Sequence, residues 1–183
     1  LERIKRELNI PVVYVTHSEE EVLRLADTLV VMKNGRVVLE GGVAEVWHQV
    51  SRQSSGGVKK SSMVQAVVAE RDAEWGLLKV LAGGACFWVR DEGFAIGDRL
   101  RLLIDADDVS ISVHKPSQTS IQNVFECRAA DIFAGSDAAR RFVELDAGGG
   151  CEILAEVTAR AIYEMGISPG MRIWAQIKSV SVH

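Results

Sequence analysis

Two short stretches of this chain gather side chains that could do chemistry. The first is Thr16-His17-Ser18, three hydrogen-bonding residues in a row. They follow Val12-Val13-Tyr14-Val15, an apolar run whose β-branched valines suit a strand buried on both faces. The end of such a strand faces ligands in α/β proteins. An imidazole there suits ligand contact or catalysis, and it equally suits a satisfied structural role. The second stretch is split between Thr119-Ser120-Ile121-Gln122-Asn123 and Lys178-Ser179. Both parts are rich in donors and neither holds a carboxylate. A tetrahedral dianion offers only acceptors, so its site needs hydroxyl, amide, backbone N–H and ammonium groups. Several donors must act together, because stripping water from a dianion is costly. The same residues are also an ordinary start and an ordinary end of a strand.

The elements that must position these groups can be read from periodicity. Ser18 is placed to cap a helix, with Glu21 at the capping-box spacing and Val22, Leu25 and Ala26 on one face. Asn34-Gly35 predicts a tight hairpin between Leu29–Met32 and Arg36–Leu39. Leu1, Ile4 and Leu8 read as the tail of an amphipathic helix. The Ser- and Gly-rich stretch 51–62 reads as a flexible tether, with Lys59 and Lys60 solvated on it. Beyond it the pattern turns to period two. Strands are expected around 66–69, 77–81, 86–89, 100–104 and 109–113, and again around 124–132, 142–145, 153–157 and 171–178. Thr158 and Gly166 bracket one short helix. In the last strand Ile173, Ala175 and Ile177 share a face opposite Arg172, Trp174 and Gln176. Strands this short and this closely spaced suggest small barrels. Gly97, Arg99 and Ile104 match Gly170, Arg172 and Ile177 at a constant spacing, which makes two copies of one β-unit. Asp105-Ala106 in the first copy then aligns with Lys178-Ser179 in the second.

Composition excludes several classes. Lys and Arg number 21 against 25 Asp and Glu, and this net charge of −4 gives no basic stripe for nucleic acid. A hydrophobic share of 48% and a charged share of 25% are ordinary for a globular chain. Cys86, Cys127 and Cys151 lack C-x-x-C spacing and read as small apolar strand residues, with no metal site expected. No apolar run approaches a membrane span and no signal peptide is visible, so a cytoplasmic place is expected, with membrane association only through a protein partner.

Taken together, Val15-Thr16-His17-Ser18, Leu25-Ala26-Asp27, Lys33-Asn34-Gly35-Arg36 and Glu45-Val46-Trp47 closely resemble the last part of an ABC-transporter ATPase domain. The resemblance implies that His17 is the switch histidine that senses the γ-phosphate of ATP. No Gly-x-x-x-x-Gly-Lys-Ser/Thr loop, no strand ending in Asp-Glu and no Leu-Ser-Gly-Gly-Gln-like segment occurs in these 183 residues. The expectation is therefore the C-terminal piece of a longer polypeptide, which alone does not hydrolyse ATP. Residues 63–183 are similar to the regulatory region of molybdate-importer ATPases, built from TOBE/MOP-type, OB-like barrels. That resemblance implies an oxyanion site between subunits, carried by Ser120, the backbone of Ile121, Gln122, Lys178 and Ser179, with Thr158 beside them. Gln122 stands where the family has an Arg, so the planar cationic fork is lost and affinity should fall.

The expected architecture is mainly β with an α/β remnant at the front. Residues 1–50 would be the end of the ATPase domain, 51–62 a linker, 63–116 a first barrel unit and 117–183 a second, oxyanion-binding one. The implied partners are a second copy, forming a homodimer, and transmembrane permease subunits at the cytoplasmic face of the inner membrane. The implied ligands are ATP and magnesium in the full-length protein, and molybdate or tungstate as a regulatory ligand. An importer ATPase for sulfate, a sugar or a polyamine is the neighbouring alternative. A non-enzymatic molybdate-binding storage or regulatory protein is the more distant one.

Overall fold

A computed structural model describes residues 11–53 and 59–183. The amphipathic run 1–8 lies outside them. The front of the described chain comprises helix α1 (Glu19–Leu25), strands β1 (Thr28–Lys33) and β2 (Arg36–Gly42), and helix α2 (Val43–Gln53). β1 and β2 form a two-stranded hairpin whose turn holds Asn34 and Gly35 at φ 52° and 75°, as the Asn-Gly turn demands. Leu23, Val43, Trp47 and Met63 make a small core, against which Val22, Ala26 and Leu29 pack. The deepest α1 residue is Leu23, 3% exposed, which lies outside the expected face of Val22, Leu25 and Ala26, all three half-buried.

The buried strand expected at Val12–Val15 is not formed. Residues 11–18 carry no regular structure, and Val13 and Val15 are 95% and 91% exposed. A strand is held by ladder partners, and none of the three sheets among the described residues includes this run. Its residue types favour a strand, but the described chain offers no neighbour to complete one.

The remainder is two curled five-stranded sheets sharing one core. The first holds β3 (Ser61–Asp72), β4 (Leu77–Ala82), β5 (Ala85–Arg90) and β6 (Arg99–Asp105). The second holds β7 (Val109–Ser112), β8 (Asn123–Ala134), β9 (Arg140–Asp146), β10 (Glu152–Thr158) and β11 (Arg172–Ile177). Helix α3 (Ala159–Met165) joins β10 to β11, and β12 (Ser181–Val182) closes the first sheet. Thr158 caps α3 by accepting from Ala161 N–H (3.1 Å), and Gly166 ends it at φ 62°. In β11 the expected inward face, Ile173, Ala175 and Ile177, is fully buried.

The repeat seen in the sequence is a repeat of structure. The orders β12-β6-β3-β4-β5 and β7-β11-β8-β9-β10 correspond strand for strand. β3 bulges between Val68 and Glu70, and β8 at the matching place between Ala129 and Asp131. At each bulge a turn glycine donates back to the strand: Gly97 N–H to Val68 O (2.8 Å), and Gly170 N–H to Ala129 O (2.7 Å). Sheet membership does not follow the division at 116/117. β7 precedes that point yet pairs with β11, and β12 lies at 181–182 yet pairs with β6. The two sheets have exchanged their outer strands.

The two ends of the stretch 51–62, read from composition as a solvated tether, belong to packed elements. Residues 51–53 finish α2 and 61–62 begin β3, while Lys60, Ser61 and Ser62 are buried. Composition marked the polar residues but not the contacts that bury them.

Candidate functional site

At the front, Ser18 caps α1, its Oγ accepting from Glu21 N–H (3.4 Å). The Glu21 carboxylate does not return to Ser18 N–H, as a full capping box would. It accepts from the Thr16 and Tyr14 hydroxyls instead (the Tyr14 contact is 3.1 Å), and Ser18 N–H donates to Thr16 Oγ1 (3.0 Å). The hydrogen bond to Glu21 also raises the Tyr14 hydroxyl above its ordinary pKa. His17 sits inside this net with its own side chain exposed. Its flanks are tied and its ring is presented outward, an arrangement suited to meeting a group brought by another surface.

The donor-rich segments meet at one end of the second sheet. Ile177 pairs with Asn123, so Lys178 and Ser179 leave β11 beside Gln122 and the segment running back to Ser120. Lys178 N–H donates to Asp108 O (3.0 Å), which fixes the backbone there. The side chains of Ser120, Gln122, Lys178 and Ser179 are exposed. Two expected details change. Ile121 N–H is already engaged, donating to Thr119 Oγ1 (3.1 Å) within the turn. Thr158, opposite Arg140 at the far end of β10, is set by the ladder at the other end of the sheet from Ile177 and Asn123. Its hydroxyl is used as the α3 cap, so within this chain it does not join the other five residues.

Asn123, quoted from the sequence only as one more donor, is the anchor of the segment. It is buried, with Oδ1 accepting from Trp88 N–H (2.6 Å) and Nδ2 donating to Trp88 O (3.2 Å). The side chain copies a strand's bonding pattern and fastens β8 to β5 of the other sheet. Its counterpart in the first sheet, Ser62, accepts from Leu154 N–H of β10 (2.8 Å). Each half clamps the other at the equivalent strand.

A third constellation escaped sequence reasoning. α2 lies against the second sheet through His48 Nε2, which is 3.1 Å from Glu144 Oε1 and 3.8 Å from Glu152 Oε2. Arg52 forks between Glu144 and Asp131, its guanidinium 5.1 Å from the Phe133 ring centroid. The Lys60 ammonium donates to the last α2 carbonyls, Ser51 O and Arg52 O (the latter at 3.2 Å), and lies 5.2 Å from the Phe142 centroid. Burial lowers its pKa. A cation at a helix C-terminus complements the carbonyl end of the dipole. Trp47 Nε1–H donates to Ser61 Oγ (3.1 Å). Among the described residues His48, Glu144 and Glu152 form a trio close enough for a metal, with ligand atoms within 4.8 Å of one another. Arg52 already neutralises Glu144, and the His48 Nδ1 atom is buried without a partner. A metal on Nε2 would leave the Nδ1 proton buried with no acceptor, whereas a proton on Nε2 meets Glu144. The trio is a latch between α2 and the second sheet. Its only sequence signal is an i, i+4 pair, His48 and Arg52, on one face of a helix.

Residues 119–183 match the TOBE domain. Over its whole length the chain is 36% identical to the molybdenum import ATP-binding protein ModC of Methylococcus capsulatus, 37% to that of Pseudomonas aeruginosa and 36% to that of Escherichia coli. It spans about half the length of these relatives, 51% in each case. A crystal structure of the cytoplasmic molybdate-binding protein ModG with molybdate bound has a similar fold, with a TM-score of 0.55 at 24% identity, covering 66% of this chain and 94% of that one. No helix among the described residues is long and apolar enough to cross a membrane. The chain is thus similar over its full length to about half of each of these molybdenum import ATP-binding proteins, and its residues 119–183 match the TOBE domain.

Proposed function

We propose that this chain is the switch-and-sensor part of an ATP-driven molybdate importer subunit. In that reading His17 meets the γ-phosphate of ATP, while other parts of the full-length protein hold the nucleotide and its magnesium. When bound, the nucleotide supplies the hydrolysis that drives import. His17 contributes an outward imidazole on a backbone fixed by Thr16, Ser18 and Glu21. The partners are permease subunits at the cytoplasmic face of the inner membrane and a second copy of the chain. The two β-units are the regulatory part, and the second takes up molybdate or tungstate through Ser120, Gln122, Lys178 and Ser179, with Thr158 supplied from a second copy.

The observation that carries this reading is the meeting of Ser120–Gln122 with Lys178–Ser179 at one sheet end, in a chain whose relatives import molybdenum. Ammonium, amide and hydroxyl groups gathered there match an all-acceptor dianion. Titration of the intact protein with molybdate, tungstate and sulfate by calorimetry tests it. Lys178→Ala should weaken molybdate at least tenfold, since a charge-assisted contact contributes about 1.5–3 kcal/mol. Unchanged affinity in that variant would remove the site, and a preference for sulfate would move the protein to another importer class.

A further inference from the structure

The internal repeat pairs the oxyanion segment with a region of the first half that occupies the matching sheet end and carries the opposite chemistry. Ser62 pairs with Ile104 as Asn123 pairs with Ile177. Stepping outward from these matched pairs, Lys59 corresponds to Ser120, Asp105 to Lys178, Ala106 to Ser179 and Asp107 to Val180. The second half thus presents a cation and hydroxyls with no negative group at these positions. The first half presents the cation from the other side, on Lys59, and two carboxylates facing it. Lys59 Nζ is 2.6 Å from Asp105 Oδ2 and 3.4 Å from Asp107 Oδ1. The Ser62 and Asn123 clamps, the bulges and the returning turn glycines match in both halves; past them the sheet ends differ in side chains and in the 3-10 turn that Ala106–Asp108 form in the first half only.

We propose that the first half carries a closed counterpart of the oxyanion site, in which Asp105 and Asp107 occupy Lys59 as a built-in anion and thereby confine oxyanion binding to the second half. The inference rests on the oxyanion reading of Lys178 given above. A carboxylate tethered 2.6 Å from an ammonium has a very high local concentration, so a free dianion must displace it while meeting the repulsion of two negative groups. Asp105 and Asp107 are then specificity-determining residues that set how many oxyanions each chain holds.

Calorimetric titration of the intact protein with sodium molybdate at low ionic strength tests this with four variants. D105N/D107N should double the molybdate-to-chain ratio, and adding K59A to it should return the ratio to the wild-type value. K59Q alone, a mild surface change, should leave the wild-type ratio unaltered, because a closed site contributes nothing. A folded D105N/D107N protein with an unaltered ratio would overturn the proposal, and so would loss of bound molybdate in K59Q. K178A separates this from the underlying reading. If wild-type binding ignores Lys178, the second-half assignment falls, whereas the increment on removing Asp105 and Asp107 is read independently of it.

Discussion

Cys127 and Cys151 sit in the core between the two sheets, and burial pushes both thiols up to about 12. An unfolded chain ionises its thiols near pH 8.5. Above that pH the unfolded state releases protons that the folded state still holds. The thiol contribution to stability is therefore complete below pH 8.5 and is lost as pH rises toward 12. Each buried thiol should lower the unfolding free energy by about 1.4 kcal/mol per pH unit in that window. Urea titrations from pH 8.5 to 11 should show this slope, reduced by two such increments in C127A/C151A. An equal slope in both proteins would place the thiols in contact with water. Other single residues explain what the sequence could and could not tell. Thr158 and Gly166 were legible because a cap is a local event. Lys60 was not, because its carbonyl and aromatic partners lie on α2 and in β9 and β8, and neither composition nor spacing encodes that meeting.

At the scale of elements, the hairpin tips show how closely the two sheets approach. Gly84 N–H donates to Gly148 O (3.0 Å), and a Cβ on Gly84 would lie 2.1 Å from Ala147 O. Gly83, at φ 55°, would bring its Cβ 2.2 Å from Gly148 O. Both obstacles are backbone atoms, which cannot swing aside as a side-chain tip can. Gly84→Ala should therefore cost about 2–3 kcal/mol, read as a shift of the denaturation midpoint with an unchanged slope. A shift below about 0.5 kcal/mol would mean that the tips can part freely. The strands themselves were legible, since period-two alternation and Gly-rich turns are local signals. The Val12–Val15 run shows the limit. Its residues have strand propensity, but a strand exists only where another strand supplies its ladder. The exchange of β7 and β12 was invisible for the same reason, as both pairings are set by the other half of the chain.

At the scale of the whole molecule, the front segment and the two β-sheets are physically one unit. α2 shares a core with α1 and with Met63 of β3, and its polar face is latched to the second sheet by His48, Arg52 and Lys60. A change in the second sheet therefore has a contiguous packed route to the helix behind His17. The exchanged strands tie the two halves as firmly. β12 borders β6, and Arg101 and His183 trade both backbone bonds, each 2.8 Å. Deleting residues 180–183 should raise the hydrogen-exchange rate of the Arg101 amide and lower the melting temperature by about 4–8 °C. That follows from roughly 2 kcal/mol for the lost bonds and the usual conversion for a chain this size. An unmoved melting temperature would show that β12 adds nothing to the first sheet. The exchange also orders events during synthesis. While a nascent chain is still emerging from the ribosome, β6 presents an open edge, and its covering strand arrives only after the entire second sheet has been translated. The first sheet must wait with that edge exposed, so nascent-chain holding factors should engage the chain at residues 99–105 until Ser181 and Val182 appear.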